Sequence, residues 1–188
     1  MFLLCLLFQR QSRSTGGAIP CKSSVGGLKT VYFADYGLTI TDNATDAEKV
    51  DIGGTPTFYQ YDLKGNSSME TAVNSSRENG TTFFETNLNI TLQLLDSATQ
   101  EELKIIALGR PQVVVEDYNG NFFLLGREHG CEVTGGTFST GAAMGDASQF
   151  SITLTAQEIS APAFCADSTD VTGNASATQI TPATPNNG

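Results

Sequence analysis

The run Thr82-Phe83-Phe84-Glu85-Thr86-Asn87-Leu88-Asn89-Ile90-Thr91-Leu92-Gln93-Leu94-Leu95 decides the fold class. Phe84, Leu88, Ile90, Leu92 and Leu94 alternate with Glu85, Asn87, Asn89, Thr91 and Gln93. Side chains of a strand point to opposite faces in turn, so this is a long strand with one buried and one wet face. Downstream, Asp96 to Gly109 reads as a short helix: Asp96 or Ser97 caps its start, acids fill its first turn, Gly109 ends it and Pro111 forbids its continuation.

A hairpin follows, Gln112-Val113-Val114-Val115-Glu116-Asp117 against Asn121-Phe122-Phe123-Leu124-Leu125, joined through Asn119-Gly120. Both turn residues accept the positive φ of a tight turn. Two further strands are predicted, Cys131–Thr134 and Gln149–Ala156, with the small-residue run Gly135 to Asp146 as the loop between them. Upstream, Lys29–Ala34, Val50–Ile52, Thr55–Asp62 and Ser68–Asn74 are strand-like, and Asn79-Gly80 is a second hairpin signal. Residues 1–27 form a polar N-terminal arm behind the apolar run Met1 to Phe8, which is too short to span a bilayer. Residues 28–160 form a β-rich domain, and 161–188 a polar tail, mobile or docked at the periphery, whose large apolar residues past Ala166 are Val171 and Ile180. The fold class expected is mainly β: an antiparallel β-sandwich or barrel with one short flanking α-helix.

A net charge of −10, with only ten Lys and Arg, argues against wrapping a nucleic acid, because phosphate contact needs a clustered basic surface. Cys5, Cys21, Cys131 and Cys165 lie far apart without a C-x-x-C pair, and His129 is the lone histidine, so no metal site is expected and buried free thiols are favoured. Asp117, Asn119, Asn121, Phe123, Leu125 and Glu128 fit the spacing of a calcium loop, yet Phe122 stands where that loop needs glycine and the flanks are strands. Gly135-Gly136 and Gly141 to Gly145 lack the lysine of a phosphate loop. His129 and Cys131, two apart, share a strand face, but a lone strand histidine is more often a surface residue. The acid pairs Glu116-Asp117 and Glu101-Glu102 sit at a turn and at a helix start, where local structure already explains them. No catalytic, cofactor-binding or metal-ligating residue is assigned, and no enzyme activity is expected.

The order of these pieces resembles the tail-tube (major tail) proteins of long-tailed bacteriophages. The resemblance lies in Asp117-Tyr118-Asn119-Gly120-Asn121-Phe122-Phe123, Glu132-Val133-Thr134-Gly135-Gly136, Gly141 to Asp146 and Phe150 to Thr155, and it spans the central part of the chain. It implies a virion structural protein, made in the host cytoplasm, that forms hexameric rings stacked into a tube. Its partners would be copies of itself, other tail proteins and viral DNA passing without specific binding, with no membrane. The helix from Ser97 to Leu108 would lie outside. Strands Thr82 to Leu95 and Gln149 to Glu158 would pair and line the lumen through Glu85, Asn87, Asn89, Thr91, Gln93, Ser151, Thr153, Thr155 and Gln157. The segments Asn43 to Lys49 and Ser67 to Gly80, with the N-terminal arm, would make ring-to-ring contacts. Alternatives are another virion ring or decoration protein (tail terminator, neck or head decoration) or an exported β-sandwich adhesion module.

Overall fold

The computed structural model describes residues 25–46, 48–63, 65–92, 106, 108–173 and 175–176. The strands in chain order are β1 (Leu28–Ala34), β2 (Thr39–Asp42), β3 (Lys49–Gly53), β4 (Phe58–Asp62), β5 (Ser68–Ser76), β6 (Thr81–Leu92), β7 (Gln112–Asp117), β8 (Phe122–Leu125), β9 (Glu132–Ser139), β10 (Gln149–Glu158), β11 (Ala163–Cys165) and β12 (Ala175–Ser176). A single helical turn, α1 (Thr169–Thr172), precedes β12. The helix expected from Ser97 to Leu108 falls outside the described residues except at Ile106 and Leu108, which are helical, and Gln93 to Leu95 lie outside them too.

Two sheets form. One has eight strands in the order β12-β4-β1-β7-β8-β11-β3-β2, the other four in the order β5-β6-β10-β9. The class is therefore mainly β and sandwich-like rather than a closed barrel. The larger sheet is not wholly antiparallel, since β11 runs parallel to β3 and β12 parallel to β4.

Alternation along the strands builds two cores. Val31 and Phe33 of β1 and Val113 and Val115 of β7 face the smaller sheet, where they meet Leu88, Ile90 and Leu92 of β6 and Ile152, Leu154 and Ala156 of β10. The intervening residues Tyr32, Ala34 and Val114 turn to the opposite face and pack with Val50, Ile52, Phe58, Leu124 and Val171. A strand buried on both faces reads as a continuous apolar run, and Val113-Val114-Val115, all fully buried, is one.

Several boundaries differ from the sequence reading. β9 runs on through Gly135 and Gly136 to Ser139, because main-chain pairing with β10 from Thr153 back to Gln149 holds the glycines in the sheet; only the stretch after Ser139 is loop. The segment Ser67 to Gly80, assigned to inter-ring loops, is mostly the regular edge strand β5 and its turn. β2 was not anticipated, nor was β11, which sits inside the larger sheet between β8 and β3. The sheet thus continues past residue 160, and Val171 on α1 has no exposed surface. In the β7–β8 hairpin only Gly120 takes positive φ. The Gly120 amide bonds the Asp117 carbonyl at 3.1 Å and the Asp117 amide bonds the Asn121 carbonyl at 3.0 Å, so the loop has three residues, Tyr118 to Gly120, with glycine in the left-handed position, rather than two. No helix among the described residues is long and apolar enough to cross a membrane.

Candidate interaction surface

The smaller sheet has one face in the core and one face open. β6 and β10 are its central pair, in the register Leu92↔Phe150 to Phe84↔Glu158, so Glu85, Asn87, Asn89 and Thr91 lie opposite Gln157, Thr155, Thr153 and Ser151. These opposed residues bond across the strands. Thr153 Oγ1 donates to Asn89 Oδ1 and Thr155 Oγ1 to Asn87 Oδ1, both at 2.8 Å, and Gln157 Nε2 donates to Glu85 Oε2 at 3.1 Å. The hydroxyls of Thr134 on β9 and Thr155 extend the ladder at 3.2 Å. Side chains bonded to one another in this way offer fewer free donors and acceptors to a passing molecule, and none of the outward residues of these strands is basic.

Of the residues expected on the polar face of these two strands, Glu85, Asn87, Asn89, Ser151, Thr153, Thr155 and Gln157 are partly or fully exposed, and two others differ. Thr91 is buried, covered by the turn before β5: its amide bonds Ser67 Oγ at 3.1 Å and its hydroxyl bonds the Asn66 carbonyl at 3.3 Å. Gln93 lies outside the described residues.

β5 and β9 form the two edges of this sheet. Apolar side chains stand exposed near them, Val73 and Phe83 at one end and Phe138 at the other. Phe138 meets Phe150 edge-on with ring centres 6.4 Å apart. Unpaired strand edges template pairing with a further chain, and long natural edges are usually protected by charge, proline or a bulge. β5 carries one charged residue, Glu70, and β9 one, Glu132, which pairs with Arg110 at 3.5 Å. A bulge at Thr134 shifts the β9–β10 register near the middle of the edge.

The loop 126–130 braces the end of the sandwich. Gln112, buried at the start of β7, accepts from the amides of Gly37 and Leu38 at 3.0 and 2.8 Å and donates to the Arg127 carbonyl at 2.9 Å. Tyr36 donates its hydroxyl proton to the Glu128 carbonyl, and Arg127 pairs with Asp42 at 2.7 Å. Glu158, also buried, accepts from the amides of Glu128 and His129. Gly126 and Gly130, both at positive φ, let the loop fold back on itself and onto Arg110. Nothing in the sequence marked Gln112 or Glu158 for this role, since their partners are main-chain groups remote in sequence.

The other candidates are accounted for by local structure. Burial raises the pKa of Asp117, but amides from Asn121 and Asn119 outweigh it and hold the carboxyl below its ordinary range. Its two oxygens accept from the main-chain and side-chain nitrogens of both asparagines at 2.8–3.2 Å, so the carboxylate stabilises its own turn. Glu116 lies apart from that turn, bonded to Lys29 at 2.6 Å. His129 is exposed while Cys131 is fully enclosed, its thiol pushed up to about 12 by burial and by the charge of Glu158, so the two do not form a nucleophile–base pair. Cys165 is likewise a free thiol, raised to about 12 by burial and by Asp170. Glu101, Glu102, Cys5 and Cys21 lie outside the described residues.

No family model, curated protein or solved structure matches the chain.

Proposed function

We propose that the protein is a virion structural subunit that self-assembles into rings, stacked as a bacteriophage tail tube, through the edges of its four-stranded sheet. The observation that carries this reading is the combination, in one sheet, of two long edges, β5 and β9, with an outward face of self-bonded neutral and acidic side chains. A head-to-tail contact between unlike edges closes into a ring when the rotation per subunit allows it. Six copies of a four-stranded sheet would give a barrel about 40–50 Å across at the backbone, from a strand spacing of about 4.8 Å and the usual tilt. Glu85, Asn87, Asn89, Thr153, Thr155 and Gln157 would face its lumen. With no basic side chain in that set, a phosphate backbone would find no cation to hold it. The eight-stranded sheet would form the outer wall.

Mass photometry and sedimentation over a rising concentration series test this. Species at integer multiples of 19.9 kDa, ending in a dominant closed ring, are expected. A single monomeric species throughout, even with preformed tail initiator added, would sink the reading.

A further inference from the structure

Among the described residues no strand pairs with the outer edges of β5 and β9. Neighbouring strands of this sheet are all antiparallel, so β5 and β9 run in opposite senses. When copies repeat around an axis, β9 of one therefore meets β5 of the next as an antiparallel pair.

One contact inside the sheet fixes which main-chain groups face that seam. The Thr91 amide on β6 points to the β5 side, where it bonds Ser67 Oγ at 3.1 Å. Main-chain groups of successive strand residues point to opposite sides, and this parity carries through the three registers of the sheet. The outward donors and acceptors then belong to Met69, Thr71 and Val73 on β5 and to Gly136 and Phe138 on β9. Met69, Val73 and Phe138 also lie on the core face of the sheet, level with Leu88, Phe84 and Phe150. Val73 and Phe138 are 61% and 53% exposed there, each at an edge without a neighbour.

The two edges are offset along the strands. Through Phe150, Phe138 stands level with Leu92 of β6, whereas Met69 stands level with Leu88, four residues earlier on the same strand. Displacing the next copy by four residues sets Phe138 opposite Met69 and Gly136 opposite Thr71, outward groups against outward groups. An offset of two would leave Phe138 beyond the start of β5, and one of six would set it against Thr71. An odd offset would turn the polar face of one copy to the apolar face of the next. Four residues of offset per four strands makes the shear equal to the strand number at any ring size, the ratio that goes with a tilt of about 36°. Closed barrels tilt by about 35–45°, so the offset that joins the apolar residues is also one that lets a ring close.

We infer that residues 135–139 of one copy pair antiparallel with residues 68–72 of the next, Phe138 opposite Met69 and Gly136 opposite Thr71, in the ring proposed above, on which this register rests. Beyond the bulge at Thr134, Val133 and Val73 follow on the same face, so the apolar side chains left bare at each edge cover one another.

The test is disulfide trapping in a Cys5→Ser/Cys21→Ser chain at concentrations where rings form. In this register Thr137 falls opposite Glu70 as a pair without mutual main-chain bonds, with Cα atoms about 4.5 Å apart and within disulfide reach. Inside one chain the two stand on opposite edges, three strand spacings or about 14 Å apart, too far to join. Thr137→Cys/Glu70→Cys should give covalent multimers up to the full ring on oxidation, and each single variant should stay at monomer mass on a non-reducing gel. Thr137→Cys/Ser68→Cys and Thr137→Cys/Ala72→Cys report the offsets of two and six. Multimers from either of these in place of the first, or rings by mass photometry with no covalent multimer from any pair, overturn the register and leave the ring standing. A wild-type chain that stays monomeric overturns both.

Discussion

Thr155 on β10 lies opposite Asn87 on β6 and donates its hydroxyl proton to the Asn87 amide oxygen at 2.8 Å. On the neighbouring edge strand β9, Thr134 bonds the same threonine, so one outward row is tied together from β6 to β9. Order of this kind on the wet side of a sheet contributes little to stability, because water could satisfy the same groups. Its effect is to fix where the side chains point.

Asn87→Lys with Asn89→Lys tests the face directly. Losing two partly exposed hydrogen bonds should lower stability by about 1 kcal/mol, measured by urea unfolding. Self-association should survive unchanged, whereas the variant should retain duplex DNA on co-sedimentation at low salt and release it as salt rises. Loss of self-association would place these residues in a contact between subunits instead.

Gln112→Ala removes one side chain that serves three main-chain groups, the amides of Gly37 and Leu38 and the carbonyl of Arg127. Leaving them without partners should cost about 2–4 kcal/mol in urea unfolding. Gln112→Glu keeps the acceptor but turns an oxygen toward the Arg127 carbonyl, so it should recover only part of the loss. Full recovery would show that the bond to Arg127 contributes nothing.

Gly130 has φ +75°, and an added Cβ would lie 2.8 Å from the Arg110 carbonyl oxygen. Gly54 has φ +82° with nothing within 4 Å. Gly54→Ala should therefore cost only the left-handed backbone penalty of about 1–2 kcal/mol, and Gly130→Ala distinctly more. Equal losses in urea unfolding would contradict the close packing of the loop 126–130.

The central pair β6–β10 and the β7–β8 hairpin were legible in the sequence because their signals are local. Leu88, Ile90 and Leu92 alternate with Asn87, Asn89 and Thr91, and a glycine at 120 supplies the turn. β11 carries no such signal. Ala163-Phe164-Cys165 is three residues long and is held by pairing to Lys49 and Val50, more than a hundred residues earlier. β2 offers one apolar residue, Ile40, and becomes a strand only because β3 turns back onto it. The extent of β9 was hidden by its glycines, which weaken a strand when judged alone but are tolerated once β10 supplies the ladder. The outward face of the smaller sheet was readable residue by residue, apart from Thr91, which is covered by a turn whose path no periodicity encodes. The concavity lined by Phe33, Tyr36, Tyr59, Tyr61, Arg110 and Pro111 was not readable, since three segments remote in sequence build it.

The enclosed thiol of Cys131 and the half-buried thiol of Cys165 set an alkaline limit on stability. Cys131 and Cys165 stand at about 12 in the folded chain, against a usual value of about 8.5 for a thiol. Between these values the unfolded chain has lost protons that the folded chain retains, so stability falls as pH rises from about 8.5 toward 12 and is unaffected by these groups below about 8. Tyr32, raised to about 12 by burial and by Glu116, adds to the loss above about 10. Melting temperatures from pH 7 to 11 should decline accordingly, and Cys131→Ser should flatten the decline relative to wild type. In a Cys5→Ser/Cys21→Ser chain at pH 8, both remaining thiols should react with a disulfide reagent far more slowly folded than in urea. A disulfide in the purified wild-type chain would instead favour the exported module.

Electron microscopy of the untagged protein at high concentration, in negative stain, decides whether the chain closes into rings. Rings with a central hole, or hollow tubes built from them, are expected from a chain whose four-stranded sheet lines the hole. Discrete particles of monomer size at every concentration, without rings even after addition of preformed tail initiator, would contradict ring assembly.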